Sequence, residues 1–308
     1  MTVGALHHSG NRASPTLTLA VIELVGGEAL KRSAATLQEL AVLYSATSMI
    51  ICRSGSDFDL DPALFPNVMI VEDGGETIPK RRLCALEKSK SDIICLIEDT
   101  MTIPHDWVEG VRAAFDEEQT GAAWGPINLS SELGPRYWAL ALLEYGRFLR
   151  PQTQMGFADN IPGCCMTFRR QVLKTALGPV ATGIFEQAVA EQLVRGGGLI
   201  NHQADLGSIY SVEDEYSAKL STRMGHGRLY AGQIAQEQTV IQRTYGAMRS
   251  VLVPGLFIFR GVRDSFSMNN DGLSFMKLFW LVMLSSAWGV GEIRGYLTGA
   301  GDSLGSWR

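Results

Sequence analysis

The first third of the chain alternates between short apolar runs and longer segments with apolar residues at helical spacing. Residues 17–25 form an apolar run, Gly26-Gly27 breaks it, and residues 28–44 have helical spacing. Further apolar runs lie at residues 48–52, 67–71 and 93–97. A segment with helical character, residues 79–90, precedes the last of these runs. Continuous apolar runs are typical of strands buried on both faces of a parallel sheet. The pattern predicts an α/β fold with a doubly wound, mostly parallel sheet flanked by helices.

The alternation is less regular after Trp107. Apolar and polar spacing predicts helices over residues 107–118, 137–149 and 184–194, and one more beginning near Arg170. Short apolar runs predict strands over residues 121–128, 164–168 and 199–202. The regular alternation of strands and helices therefore breaks down in this part of the chain.

Composition changes again from Met248 onward. Residues 251–259 and 275–290 are strongly apolar, and the second segment is close to the lower limit of ~17 residues for a spanning helix. Aromatic and basic residues suited to a lipid headgroup region accompany them: Trp280, Trp288, Tyr296, Arg249, Arg260 and Arg263. The pattern favours a C-terminal apolar helical hairpin that enters or lies in a membrane. A pair of buried core helices or a dimer interface is the alternative, which leaves a homo-oligomer open.

These patterns divide the chain into a flexible N-terminus (1–14), an α/β domain (15–240) and membrane-associated helices (241–308). The polar N-terminus lacks the apolar centre of a signal peptide, so we expect the α/β domain to be cytoplasmic. Five cysteines without a C-x-x-C pair indicate buried thiols in a reducing compartment. A formal charge of -5 argues against nucleic acid as a partner.

Two carboxylates, Glu98 and Asp99, follow the apolar run 93–97 directly. Ligands of open α/β sheets bind beyond the carboxyl ends of the strands. Carboxylates placed there can hold a divalent cation against a diphosphate, because hard cations take oxygen ligands and share their shell with substrate phosphates. A solvated acidic turn is the alternative for this pair taken alone.

Four segments between about residues 15 and 235, in this order, resemble motifs of the inverting family-2 glycosyltransferases with a GT-A fold. Ile-Pro-Lys-Arg-Arg-Leu at 78–83 resembles the basic helix start that faces the nucleotide, with Arg82 at the usual Asn position. Glu98-Asp99-Thr100, followed by Pro104 and Trp107, resembles the DxD loop. The other two matches lie further along the chain.

The third match is Asp-Asn-Ile-Pro-Gly at 159–163 with Arg169-Arg170, which resembles the acceptor-side segment. The fourth is Glu186 with the later segment 223–228, Arg-Met-Gly-His-Gly-Arg, which resemble the acidic base motif and the later basic motif. Glycines in the segment 223–228 would let the backbone of a basic loop approach a ligand closely. The alternative for that segment is a basic loop that touches lipid headgroups.

The resemblance implies a Rossmann-like GT-A fold and a site for a nucleotide-diphosphate sugar. The donor-binding residues it implies are Glu23, Arg53, Lys80, Arg81, Glu98, Asp99, Arg223, His226 and Arg228. It also implies a divalent cation, Mg or Mn, with ligands among Asp99, Glu98 and Thr100. The family's usual metal ligand is the third residue of the motif, which here is Thr100. A hydroxyl is a weaker ligand than a carboxylate.

Glu186 is the predicted general base and Asp159 the second candidate. Inverting transfer needs one carboxylate beside the acceptor hydroxyl, which removes its proton as the glycosidic bond forms. The family motif is often Glu-Asp, whereas here it is Glu186-Gln187. Alternatively, Glu186 stabilises the helix dipole and Asp159 caps a turn.

The segment 288–299 resembles the Gly-Glu-x-x-Gly-Tyr-x-x-Gly ending of bacterial membrane-associated family-2 members. It implies a lipid-linked or glycan acceptor at the cytoplasmic face of the inner or plasma membrane. The sequence is thus interpreted as that of an inverting glycosyltransferase of polysaccharide biosynthesis. The alternatives are a catalytically degenerate membrane partner in polysaccharide assembly, favoured by Thr100 and Gln187, and a nucleotidyltransferase. The latter class carries a glycine-rich basic loop, for which this chain offers only Gly26-Gly27.

Overall fold

The computed structural model describes residues 15–55, 61–149, 156–213, 215, 217–267 and 273–306, so the predicted flexible N-terminus (1–14) lies outside the described residues. The strands are β1 (Leu17–Ile22), β2 (Thr47–Arg53), β3 (Val68–Glu72), β4 (Ile93–Glu98), β5 (Met101–Thr102), β6 (Thr120–Trp124), β7 (Ile127–Leu129), β8 (Gly156–Ala158), β9 (Cys165–Arg169), β10 (Leu199–His202) and β11 (Ser208–Tyr210). The helices are α1 (Gly27–Leu43), α2 (Ile78–Lys88), α3 (Trp107–Ala114), α4 (Pro135–Tyr145), α5 (Arg170–Leu177), α6 (Glu186–Arg195), α7 (Leu220–Ala235), α8 (Val240–Ser250), α9 (Val253–Ser267) and α10 (Phe275–Thr298).

The main sheet has the order β3-β2-β1-β4-β9-β6-β10-β8 across the described residues. Its first four strands are parallel, with Leu17 aligned to both Thr47 and Ile93. Every residue of β1 and β4 is buried, which agrees with their continuous apolar sequences. The predicted α/β fold with a mostly parallel sheet is therefore confirmed.

The second half of the sheet differs from a simple continuation. β9 runs antiparallel between β4 and β6, and β8 is antiparallel to β10. An apolar run shows that a strand is buried but not which way it runs, so this order could not be read from the pattern. One consequence is that the loop before β9 lies beside the carboxyl end of β4, where Glu98 N–H donates to the Cys164 carbonyl.

The strand predicted over residues 121–128 is wrong in extent. The chain breaks at Gly125-Pro126, so β6 joins the main sheet while β7 pairs with β11 in a small three-stranded sheet. A side chain at Gly125 would overlap the Leu206 backbone, and Pro126 has no N–H to continue a ladder. The break places the second sheet beside the end of β4.

The predicted apolar C-terminal hairpin is not supported. The region forms α8, α9 and α10, and α10 packs against α7, α4, α8 and α9. None of the helices in the described ranges combines the length and the apolar character needed to cross a bilayer. Small and charged residues interrupt the apolar sequence of α10, including Lys277, Ser285 and Glu292. The domain boundary at residue 240 stays a prediction, and the packing of α7 on α10 crosses it.

Candidate active site

Arg82 joins two carboxylates that are far apart in sequence. It lies in the first turns of α2 and is 3% exposed. Its Nη2 donates to Glu98 Oε1 at the end of β4, and its Nη1 donates to Glu186 Oε2 at the start of α6, both at 2.9 Å. The guanidinium also donates to the carbonyls of Gly163 and Ile184. One cation therefore holds together the predicted donor carboxylate, the predicted base and the loop before β9.

Arg82 keeps its charge in this setting. Burial alone lowers the pKa of Arg82, but Glu186 and Glu98 outweigh burial and raise it above its ordinary value. A buried cation with two hydrogen-bonded carboxylates satisfies the usual condition for burying charge. The geometry fixes one oxygen of Glu186, whose side chain is 32% exposed. Its carboxylate is therefore both oriented and accessible from solvent.

The other face of Glu98 is covered by α4 and the loop before β9. Tyr145 Oη donates to Glu98 Oε2 at 3.4 Å. Burial, followed by the Glu98 charge, raises the pKa of Tyr145 well above its ordinary value. The same two causes, in the same order, raise the pKa of the Cys164 thiol. Both groups are consequently neutral, and Tyr145 is a hydrogen-bond donor beside Glu98.

Asp99 holds the loop between β1 and α1. Its Oδ1 accepts from the amides of Leu24 and Val25 at 3.0 and 3.2 Å, and its Oδ2 accepts from Gly26 N–H at 2.7 Å. Burial raises the pKa of Asp99 to about 7, although these amides act in the opposite direction. The role visible in the structure is thus to position the loop; donor or metal binding by Asp99 stays a prediction.

The predicted cation ligands were tested against the chemistry of the donor set. In the described part of the chain no three or more His, Cys, Asp and Glu side chains are grouped as a metal site. Thr100 Oγ1 is buried and makes no hydrogen bond in the described structure. Glu98 and Thr100 are oxygen ligands of the kind that Mg²⁺ and Mn²⁺ accept, and magnesium is often bound by one or two protein groups plus substrate phosphates. The set is small but fits a hard cation.

Glu23 and Arg81 are buried on the other side of the β1–α1 loop. Arg81 Nε donates to Asp73 Oδ2 at 2.6 Å, and its Nη1 donates to the Glu23 carbonyl. The Glu23 carboxylate accepts from the backbone N–H and the hydroxyl of Ser54. Gly26 has φ +74°, and a Cβ there would lie 2.8 Å from Glu23 Oε1. These contacts tie together the ends of β1, β2 and β3, where nucleotide binding is predicted.

Arg53 and Lys80 lie further out. Arg53 Nε donates to Glu72 Oε1 at 3.2 Å, and the half-exposed Lys80 pairs with Glu76 at 2.8 Å. Both ion pairs are within reach of solvent and contribute little stability. Their positions at the carboxyl edge of the sheet agree with the predicted nucleotide side.

The segment 223–228 is helical, so the alternative of a basic loop that touches lipid headgroups is wrong. The segment lies within α7, and Gly227 packs against α10: a side chain there would overlap the Trp288 carbonyl. A glycine in a helix permits close packing of two backbones as readily as it loosens a loop, and periodicity could not separate these uses. Arg228 lies at this helix contact too, and its Nε donates to the Gly299 carbonyl beyond the end of α10 at 3.0 Å.

Arg223 is the member of this segment that approaches the site. Its Nη1 pairs with Glu144, and its Cζ lies 4.9 Å from the Trp288 ring centroid. His226 Nδ1 lies 3.4 Å from Arg223 Nη1. Glu144 precedes Tyr145, the residue that donates to Glu98. Arg223 thus pairs with the α4 residue that precedes Tyr145, and His226 lies beside Arg223.

Asp159 is exposed in the loop after β8, and Asn160 Nδ2 donates to its Oδ1 at 2.7 Å. The same loop continues to Gly163, whose carbonyl accepts from Arg82. Among the described contacts, Asp159 has none with Glu186, Glu98 or Arg82. Its role as the second candidate base stays a prediction.

Sequence reasoning missed Glu144, Tyr145, Cys164 and Asp73, which contact the predicted residues directly or electrostatically. The available signal was weak. A carboxylate and a tyrosine end the apolar helix α4, and an aspartate follows the apolar strand β3. Either pattern is common at a solvated helix or strand end.

Neither a family model nor a curated protein matches this chain. Solved structures do match. The mannosyltransferase PcManGT from Pyrobaculum calidifontis, in complex with GDP-Man and Mn²⁺, is 12% identical with a TM-score of 0.50, covering 96% of this chain and 73% of its own. GalNAc-T7 with UDP, GalNAc and Mn²⁺ is 12% identical with a TM-score of 0.48. The match covers 73% of this chain and 52% of GalNAc-T7.

Glucosyl-3-phosphoglycerate synthase from Mycobacterium tuberculosis, in complex with Mn²⁺, UDP and glucosyl-3-phosphoglycerate, is 17% identical with a TM-score of 0.45, covering 65% of this chain and 73% of its own. Identities this low bear on the fold alone. The mixed α/β fold of this chain is similar to that of PcManGT and is therefore of the GT-A glycosyltransferase type. That protein holds a nucleotide sugar and Mn²⁺, a donor and a cation of the kinds predicted from the sequence.

Proposed function

We propose that this protein is an inverting glycosyltransferase that moves a sugar from a nucleotide-diphosphate sugar to a lipid-linked or glycan acceptor at the cytoplasmic face of the membrane. The observation that carries the proposal is the buried Arg82, which joins Glu98 at the end of β4 to Glu186 at the start of α6. In a GT-A-type fold this edge of the sheet is where a ligand binds. The arrangement orients Glu186 as a base for the acceptor on one side of Arg82 and holds Glu98 for binding the nucleotide sugar on the other.

The donor would lie against the loops that follow β1, β2 and β3. Glu23, Arg53 and Arg81 shape these loops, and Glu98, at the end of β4, would accept a hydrogen bond from a ribose hydroxyl. A bound divalent cation, held by Glu98 and Thr100, would neutralise charge on the diphosphate. Arg223 and His226 of α7 would stabilise the departing anionic diphosphate electrostatically.

Glu186 would act on the acceptor. Arg82 holds its Oε2 at 2.9 Å, so the carboxylate cannot rotate freely, yet the side chain is 32% exposed and open to an incoming hydroxyl. As that hydroxyl attacks the anomeric carbon, its proton passes to the carboxylate and the nucleoside diphosphate leaves from the opposite face. The configuration at the anomeric carbon is thereby inverted.

The first experiment compares Glu186→Gln with Glu191→Gln on the same helix. Release of nucleoside diphosphate is measured with UDP- and GDP-sugars, with Mn²⁺ or Mg²⁺. Loss of a general base lowers turnover by roughly 10²–10⁴-fold, whereas Glu191 is exposed and pairs only with Arg195 among its described ion pairs. The proposed role of Glu186 is refuted if the two variants turn over alike.

The second experiment identifies the donor. Melting temperature is measured with each nucleotide-diphosphate sugar, with and without Mn²⁺, because a ligand that binds only the folded state stabilises it. We expect one donor class to stabilise wild type and the Glu186→Gln variant equally. A stabilisation that Glu98→Ala leaves unchanged would remove Glu98 from the donor site.

A catalytically degenerate glycosyltransferase-like membrane partner is the second candidate. Three features favour it: the Asp99 carboxylate is occupied by backbone amides, Thr100 replaces the usual carboxylate, and Gln187 bonds Glu191 at 3.4 Å. Stabilisation by a nucleotide sugar without any turnover would support this candidate. The nucleotidyltransferase alternative is less well supported, because the amides of the β1–α1 loop that would hold phosphate are engaged by Asp99.

A further inference from the structure

Helices α8 and α9 expose large apolar side chains along one side of each helix. In α8 they recur at helical spacing at Ile241, Tyr245 and Met248, and the spacing continues into α9. We call the following exposed residues the apolar face: Ile241, Tyr245, Met248, Leu252, Leu256, Phe259 and Phe266. Isolated exposed apolar residues are ordinary, whereas apolar residues exposed together at helical spacing are typical of an interaction site.

In α9, large apolar side chains lie on the exposed side as well as towards the core. Phe259 and Phe266 are 65% and 80% exposed, while Ile258 packs against the core and Asp264 and Ser265 are buried. A surface helix normally turns its apolar stripe to the core and its polar residues to water. Phe259 and Phe266 depart from this pattern and leave apolar surface of α9 exposed.

The apolar surface continues at the start of α10, which packs against α9. Phe275, Phe279 and Val282 follow one another at helical spacing and are exposed. Opposite them, Leu281, Leu284 and Ser285 are buried in the contacts with the rest of the molecule. α10 is thus held to the protein by one side and exposes apolar residues on another.

The charge of this region has the opposite sign to that of the whole chain. Residues 240–298 contain six Lys and Arg and three Asp and Glu, while the chain as a whole carries -5. The two described acidic residues, Asp264 and Glu292, are buried. Arg249 and Arg260 are exposed next to the apolar face. The exposed charges among the described residues of 240–298 are therefore basic.

We propose that α8, α9 and the start of α10 dock on an anionic lipid bilayer, with the helices lying in the interface rather than crossing it. Exposed apolar residues bordered by Arg and Lys are what an interfacial helix presents to acyl chains and anionic headgroups. A second copy of this chain is a poorer occupant, because a two-fold contact would place equal positive charges opposite each other. The inference rests on the membrane location in the proposed function and makes its mode specific.

The test is flotation of the full chain with vesicles of phosphatidylcholine alone or mixed with phosphatidylglycerol. The variant Phe259→Ser plus Phe266→Ser is compared with Val42→Ser plus Leu43→Ser, which removes apolar residues of α1 that are 69% and 60% exposed. We expect wild type and the α1 variant to bind the mixed vesicles with similar affinity. The affinity of the α9 variant for these vesicles should be lower by roughly ten-fold or more.

Equal binding by the two variants, or no vesicle binding by wild type, overturns the inference. Light scattering on the same samples covers the competing occupant: a dimer that only the α9 variant loses would assign the face to a second copy. Donor hydrolysis without vesicles is measured in parallel. Hydrolysis without vesicle binding would support the proposed transferase function and reject the docking surface. Vesicle binding without hydrolysis would support the docking surface and reject the transferase function.

Discussion

Arg82 illustrates how one side chain determines the geometry of the whole candidate site. It is buried, and its two charged partners come from β4 and α6, which have no sequence proximity. Replacing Arg82 by a neutral residue would leave these carboxylates without their positively charged partner. Both the stability of the protein and any reaction at the site would decrease.

We expect Arg82→Gln to lower the free energy of unfolding by about 3–5 kcal/mol, because removing one partner leaves the buried Glu98 uncompensated. The matched variant is Arg195→Gln, since Arg195 pairs with Glu191 at 3.8 Å on the surface of α6. That change should cost less than about 1 kcal/mol. Urea denaturation measures both, and similar values for the two would show that the Arg82 contacts do not hold the fold.

Asp99 gives a prediction about pH. Burial raises its pKa to about 7 in the folded protein, against 3.8 as its ordinary value. Folded protein therefore keeps a proton that the unfolded chain has lost between about pH 4 and pH 7. The contribution of Asp99 to stability is full below pH 4 and falls as pH rises through that window, by about 4 kcal/mol in total.

Asp99→Asn removes this titration. The difference in unfolding free energy between wild type and the variant should fall as pH rises towards 7 and stay constant above it, as measured by urea denaturation at each pH. Asp92→Asn is the control of opposite sign, because the Thr16 hydroxyl and amide lower the pKa of Asp92. Its stabilisation is present at neutral pH and is lost as pH falls. Equal slopes for the two variants would contradict the burial of the Asp99 charge.

At the residue scale, the sequence singles out positions but does not show what each side chain contacts. Glu98 and Glu186 were singled out by position, but their shared partner Arg82 was interpreted only as part of a basic helix start. Asp99 was expected to face a ligand, and its carboxylate instead accepts from three successive amides. Such contacts depend on how loops fold back, which no local pattern records.

The helix pair α7 and α10 shows the same limit for elements. Glycines on both helices allow the two backbones to touch: a side chain at Gly291 would overlap the Met224 carbonyl, and one at Gly295 the Arg228 carbonyl. Close approach of this kind leaves no room for a methyl group. The glycines were predicted to serve a ligand-binding loop and a helix end.

We expect Gly291→Ala to destabilise the protein by roughly 1–3 kcal/mol, because the added methyl group has to displace backbone. Gly255→Ala is the matched variant, since its Cβ would meet nothing within 4 Å in α9. There the higher helix propensity of Ala should leave stability unchanged or raise it by up to about 1 kcal/mol. Thermal unfolding of both variants measures this, and a tolerated Gly291→Ala would mean that α7 and α10 are less closely packed.

Elements with a continuous apolar pattern were predicted well. The strands β1 and β4 and the helix α1 were found close to their expected positions because burial on two faces, or one, leaves a clear periodic trace. The break at Gly125 and the antiparallel direction of β9 were not predicted. Both depend on which strands pair with each other, and this pairing is determined by the packing of the whole sheet.

For the molecule as a whole, charge and apolar exposure are unevenly distributed. The chain is acidic overall, whereas residues 240–298 have an excess of basic residues around exposed apolar ones. The sequence predicted membrane-associated helices from hydropathy and placed the apolar residues in a hairpin. The structure instead packs α10 on α7 and leaves large apolar side chains of α8, α9 and the start of α10 exposed.

Arg249→Gln plus Arg260→Gln tests the electrostatic part of that surface. Each basic residue near an anionic leaflet contributes about 1 kcal/mol, so the double variant should bind phosphatidylglycerol vesicles roughly 30-fold more weakly. Binding of wild type should fall as salt rises, because ions screen exposed charges. Lys88→Gln plus Arg195→Gln changes the net charge equally on α2 and α6, where both side chains are exposed.

We expect that control pair to keep wild-type affinity in vesicle flotation, since its charges lie outside α8–α10. Equal loss in both double variants would mean that net charge alone governs association, and no particular surface would then be assigned to lipid. Loss confined to the Arg249 and Arg260 variant, and absent on phosphatidylcholine vesicles, is the result that the local positive charge requires. The apolar face then supplies the remaining, salt-insensitive part of the binding free energy.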